Sequence, residues 1–426
     1  MPFIRTTHVR AVYALVGSLL LASCGRVGFE SLAADARAPD AGVPDTGRLD
    51  AATMDGSGPP EGGPGETGPP ADAATGDTGV AADRHEITPD DGAVSDCPRL
   101  AAGLGRYGVA WRDQRGPEPR VWFRPLDENG APTGPEAAVS PASASAGCPD
   151  VASVPGGFAV AWAEGSPDAR DLWLAFLAPD GSVVGLPLEV ESGGADAEAP
   201  ALAFDGARLA VAWVETRGVN AHIEISLIEP MSRAITPLGR QSDDGLFVDH
   251  VDIVPVPGGF AYAHYRWTMG GQPAQLHTVA ADGTRTGGPV AIGEAEGAGA
   301  GGIGLGYNGR VFAVAFVTID SGPIAFARFA NDLTPLSAPV DLASGRGPAM
   351  AVDEGGHFGV IYADRSAARL AVLSEDGLSM SPPLSISAPD RSASHGDIAR
   401  VDSGWLVTWA GGTSGSSQEV RVAVLP

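Results

Sequence analysis

The chain has 426 residues and a formal charge of −25, from 52 acidic and 27 basic residues, and every basic residue is arginine. So acidic a chain carries no electrostatic footprint for nucleic acid. The absence of lysine removes Schiff-base chemistry and Walker-type phosphate loops, since both need an amine at a defined place.

Residues 1–23 read as an export signal. Arg5 and Arg10 precede an apolar run over 11–21, and small residues follow before Cys24. The run is too short to span a bilayer. Over 24–82 the composition shifts to Ala, Gly, Pro, Asp and Thr, with almost no large apolar residue after Phe29. Such a stretch cannot bury enough surface to offset the entropy of ordering, so a disordered acidic linker is expected. Asp35, Asp40, Asp45, Asp50 and Asp55 recur at a spacing that fits neither helix nor strand, and the bidentate Glu of a calcium loop is missing. As a coil the linker reaches about 45 Å.

From about residue 83 one strand is written seven times. RYGVAW, GGFAVAW, ARLAVAW, GGFAYAH, RVFAVAF, HFGVIY and GWLVTW end at Trp111, Trp162, Trp213, His264, Phe316, Tyr362 and Trp409, in steps of 51, 51, 51, 52, 46 and 47 residues. Each alternates with period two: Phe158, Val160 and Trp162 share one face, Ala159 and Ala161 the other. A strand of this kind is buried on both sides, between unequal neighbours. Within each period a short strand and a tight turn such as Asp205-Gly206 or Asn308-Gly309 precede the signature strand. A third strand follows it, then a second turn such as Asn129-Gly130 or Asp180-Gly181, then a fourth strand.

Four antiparallel strands per unit of about 50 residues is the pattern of a β-propeller blade. Tandem sandwiches would repeat near 100 residues with about seven strands. The predicted fold is therefore all-β, a seven-bladed β-propeller of four-stranded antiparallel blades over 83–426. The last unit runs from its third strand, 420–425, into Pro426 and lacks a fourth. The segment 85–88 is expected to supply that outer strand and close the ring, leaving no exposed sheet edge.

Cys97 and Cys148 each stand fourteen residues before a signature tryptophan. In an exported protein such an equivalent pair is expected to form a disulfide, the alternative being two buried thiols. The same alignment puts His250 and His395 at the cysteine position of blades 4 and 7, with Asp150, Asp252 and Asp397 two residues further on. These positions start the first strand, near one mouth of the central channel. They are candidates for a cation or cationic ligand, weighed against polar lining of a wet channel. Residues 299–304 match a dinucleotide glycine pattern but precede a strand instead of opening a helix. No Ser-His-Asp order, nucleophile elbow or zinc-helix motif occurs, so neither a catalytic residue nor a cofactor is assigned.

LASC at 21–24 resembles the lipobox of bacterial lipoproteins, which implies cleavage before Cys24 and lipid on its sulfur. Gly25 stands where an Asp would retain an enterobacterial lipoprotein in the inner membrane, which implies the outer membrane. The acidic Ala/Pro/Asp tether with an arginine-only head also resembles surface lipoproteins of myxobacteria. Two functions from different classes follow. One is a lipid-anchored, non-catalytic binding or scaffold module of the cell envelope, with a monomeric head and a protein or glycan partner. The other is a propeller hydrolase or lyase with a metal or carboxylate site at the channel mouth.

Overall fold

The computed structural model describes residues 84–242, 247–267, 272–295, 302–318, 323–364, 367–387, 392–414 and 417–426. The residues read as an export signal and linker, Cys24 among them, lie outside these. The described residues form seven four-stranded antiparallel sheets arranged as the blades of a β-propeller, six of them with their strands in sequence order outward from the first. No helix among them is long and apolar enough to cross a membrane.

The first strands of blades 1 to 7 are Ser95–Gly103, Asp150–Val154, Asp196–Phe204, Phe247–Val256, Ile303–Tyr307, Arg346–Val352 and Ser392–Val401. Each packs on the first strand of the next blade, and the seventh packs on the first. They form the inner ring. Blade 7 takes its outer strand from the start of the head, where Arg84–Glu86 pairs antiparallel with Ser417–Leu425. The Ile87 N–H extends this pairing by donating to the Val420 carbonyl at 2.9 Å. The Thr88 hydroxyl in turn accepts the Val420 N–H at 3.0 Å.

Seven apolar clusters fill the seven gaps between blades, and alternation in the signature strand explains each. Ala159 and Ala161 of blade 2 meet Leu209, Val211 and Trp213 of blade 3. Ala261 and Ala263 of blade 4 meet Phe312, Val314 and Phe316 of blade 5, and Ala313 and Ala315 meet Phe358, Val360 and Tyr362 of blade 6. The large face of a blade thus lies on the alternate face of the one before it, a face that is alanine at these three junctions but carries Ile361 before blade 7 and Leu406 before blade 1. At the junction of blades 6 and 7 that face also includes Gly359, where an added Cβ would come within 2.7 Å of the Trp405 ring. Close packing of this kind contributes more than area alone, because a missing methylene leaves an unfilled gap.

Candidate functional site at the channel mouth

In blades 1, 3, 4, 6 and 7 the first strand enters its blade through a β-bulge. Register shifts fall between Asp96 and Arg99, Glu198 and Ala201, Asp249 and Val251, Arg346 and Ala349, and Ser394 and Gly396. The bulged residue takes positive φ at Cys97 (51°), Ala199 (47°), His250 (46°) and Gly347 (60°). A bulge bends the strand and re-aims the side chains beyond it. Two residues on stand Arg99, Asp150, Ala201, Asp252, Gly304, Ala349 and Asp397.

Four of these seven residues are charged, and they sit on blades 1, 2, 4 and 7. Arg99 nevertheless feels Asp397, Asp150 and Asp252 together: the first two stand on the flanking blades 7 and 2, and Asp252 acts from blade 4 across the ring. Its Nε lies 4.0 Å from Asp150 Oδ1. Burial works against the charged guanidinium, and the three carboxylates overcome that penalty and hold its pKa above the usual value. Burial also pushes the Asp150 carboxyl up to about 7, with Arg99 opposing and Asp397 adding to the shift. Asp252 is likewise raised to about 7 by burial, opposed by the Leu305 N–H and Arg99. Asp397 is raised by burial too, against the pull of Arg99 and the Leu100 N–H.

Each aspartate also reaches forward by one blade. Asp150 Oδ2 accepts the Leu202 N–H at 2.6 Å, and Asp252 Oδ2 accepts that of Leu305 at 2.7 Å. Asp397 Oδ2 accepts the Leu100 N–H at 2.7 Å. These carboxylates therefore clasp blade 2 to 3, blade 4 to 5, and blade 7 to 1. Cys97 and Cys148 form a disulfide, with Cα atoms 5.5 Å apart, that joins the starts of the first two inner strands. It lies two residues before Arg99 and Asp150, so it fixes the spacing of that pair.

Of the residues singled out in the sequence, Asp150, Asp252 and Asp397 come together and His250 occupies the bulge of blade 4. The side chain of His395 lies outside the described residues. Arg99 is the participant that sequence reasoning missed. Its signal was present, since Arg99 stands two residues after Cys97 as Asp150 does after Cys148, but only carboxylates and imidazoles were sought there.

A second buried polar group occupies blade 4, where His264 replaces the signature tryptophan. His264 Nδ1 lies 3.1 Å from the Tyr265 carbonyl and Nε2 lies 3.1 Å from His277 Nε2. A carbonyl only accepts, so His264 carries its proton on Nδ1, and the shared contact then requires the His277 proton on Nε2. Burial pulls the pKa of His264 down to about 4. Burial and the neighbouring His264 pull that of His277 down to about 2. Tyr262 stacks on His277 with ring centroids 4.7 Å apart. This pair is a neutral polar insert in an apolar core.

No protein-family model matches the chain, and no curated protein sequence does. Similar solved structures share the propeller at low sequence identity. A Trypanosoma rangeli sialidase in complex with sialic acid superposes with a TM-score of 0.51 at 10% identity, over 81% of this chain and 59% of that one. The chain thus spans about three-fifths of the sialidase. The polysaccharide lyase Uly1 gives a TM-score of 0.51 at 9% identity, over 78% of this chain and 90% of that one. Likeness at this level concerns the fold, since propellers host unrelated activities.

Proposed function

We propose that the head is a non-catalytic binding or scaffold module, held at the bacterial cell envelope by lipid on Cys24 and displayed from the outer membrane to a protein or glycan partner. One observation carries this reading: Asp150, Asp252 and Asp397 already accept main-chain N–H groups of neighbouring blades, with Arg99 as their counter-charge. A general acid or base must offer its proton or lone pair to a substrate. Here those groups serve the ring. Partner specificity is then a matter for the connecting loops, where the seven units differ in sequence. The lipobox-like 21–24 supports the anchor, and the acidic tether would hold the head clear of the membrane.

The hydrolase or lyase reading has one observation in its favour, the Asp150 and Asp252 carboxyls held up at about 7, where a general acid works at neutral pH. The test uses the full chain purified from membranes in detergent. Its intact mass is expected to show loss of 1–23 and gain of acyl groups. Incubated with envelope extract, the wild type and Asp252→Asn are expected to retain the same partner with its mass unchanged. Cleavage of that partner by the wild type and not by the variant would establish the catalytic reading instead.

A further inference from the structure

We infer that Glu215, His222 and Glu224 form a binding site for a divalent cation of the zinc class on blade 3, separate from the channel mouth. The three residues come from one hairpin, between the second strand Leu209–Arg217 and the third strand Asn220–Ile228. Glu215 pairs directly with His222, and Trp213 pairs directly with Glu224. Directly paired residues point to the same side, and residues two apart on a strand share a face. All four side chains therefore stand on one face of the sheet.

The ligand atoms lie within 4.8 Å of one another. His222 Nε2 is 2.9 Å from Glu224 Oε1 and 4.0 Å from Glu215 Oε1. Tetrahedral zinc with N and O ligands at about 2.0–2.1 Å needs ligand atoms about 3.3–3.4 Å apart, and the observed separations bracket that value. One imidazole with two carboxylates is a donor set suited to zinc, whereas calcium and magnesium prefer oxygen alone. Glu215 and His222 are buried, while Glu224 is only partly so and leaves a way in. Glu191, on the fourth strand of blade 2, adds another carboxylate within electrostatic range of Glu215 and Glu224.

An independent observation comes from the neighbouring indole. In blades 1 and 2 the acid two residues after the signature tryptophan accepts its indole N–H: Trp111 to Asp113 at 3.3 Å, and Trp162 to Glu164 at 2.9 Å. In blade 3 the equivalent acid is Glu215, and the Trp213 indole N–H is buried with no acceptor among the described residues. Trp213 is only 3% exposed. A buried donor left unpaired is destabilising, so a state that satisfies it is favoured. Glu215 instead takes the Arg217 Nε–H at 2.6 Å, and the Arg217 side chain is 63% exposed. A cation bound between Glu215, His222 and Glu224 supplies the positive charge that Arg217 now lends. Glu215 can then bind the ion through one oxygen and accept the Trp213 N–H through the other, as its counterparts do in blades 1 and 2.

The test is calorimetric titration of the chelator-treated full chain with Zn2+, with tryptophan emission followed in parallel. One saturable site is expected, with a change in emission that disappears in Trp213→Phe although binding persists. His222→Gln and Glu224→Gln are each expected to weaken binding by roughly a hundredfold. Arg217→Ala is expected to tighten it, because a competing cation is gone. Circular dichroism with chelator shows which variants fold, and the partly exposed Glu224 serves if His222→Gln does not. The absence of saturable Zn2+ binding, or binding that a folded Glu224→Gln variant leaves unchanged, would overturn the proposal.

Discussion

Asp397 Oδ2 accepts the Leu100 backbone N–H at 2.7 Å across 297 residues of sequence, so one carboxylate ties the last blade to the first. Arg84–Glu86 closes the same ring from outside, through its pairing with blade 7. Closure is thus made twice, at the inner and outer edges of the molecule.

The outer closure depends on few residues. Ile87 is 1% exposed, and Thr88 accepts the Val420 N–H. Deleting residues 84–88 is expected to lower the melting temperature sharply. Ile87→Ala alone should cost about 2–4 kcal/mol, and Thr88→Ala about 1–2 kcal/mol for the donor left unpaired. Chemical denaturation of the three variants measures this. An unchanged midpoint for Ile87→Ala would show that the closing segment carries no load.

Removing the Cys97–Cys148 bridge releases a 51-residue span. In the chain-entropy account this removes about 4 kcal/mol of stability. Alkylation with and without reductant, read by mass, is expected to label the pair only after reduction. The reduced chain should also melt earlier.

Burial makes the mouth pH-dependent, and Arg99 limits the effect. The folded-state pKa of Asp150 and Asp252 is about 7, raised from 3.8. Between those values the folded state holds more protons than the unfolded one. The contribution of these groups is thus fully present below about pH 3.8 and is lost as pH rises through about 7. Arg99→Met removes the charge that opposes the upward shift, so the loss extends to higher pH. Melts at about pH 5 and about pH 8 are expected to show the variant penalised mainly at the higher value. An equal penalty at both would mean that Arg99 acts by packing alone.

The histidine pair has the opposite sign. His264 and His277 have folded-state pKa values of about 4 and about 2, lowered from 6.5. Their contribution is present above about pH 6.5 and is lost as pH falls towards the folded values, because the unfolded chain takes up the protons first. Nitrogen-15 NMR is expected to show His264 protonated on Nδ1 and His277 on Nε2, both neutral down to about pH 5. A ring titrating near the free value would contradict this assignment.

Much of this architecture was legible because alternation in the signature strand has a physical cause. A small face leaves room for a large one, so Ala159 and Ala161 imply a partner such as Trp213 from the sequence alone. The constant offset from Trp111 and Trp162 also placed Cys97 beside Cys148. Arg99 escaped because it is a base at a position filled by aspartate in blades 2, 4 and 7, although it stands two residues after Cys97 as Asp150 does after Cys148. The amides of Leu100, Leu202 and Leu305 escaped because a main-chain donor leaves no trace in side-chain identity. Glu215, His222 and Glu224 needed the exact pairing of one hairpin, which a turn sequence such as Arg217 to Asn220 does not specify.

The central claim is that the mouth aspartates clasp one blade to the next. Amide hydrogen exchange around Leu100, Leu202 and Leu305 tests it most directly, in Asp397→Ala, Asp150→Ala and Asp252→Ala compared with the matching Asn variants. Each Ala variant is expected to lose protection at its own partner amide. Each Asn variant, which keeps an acceptor oxygen, should retain it. Protection unchanged in all three Ala variants would contradict the account and free these carboxylates for chemistry.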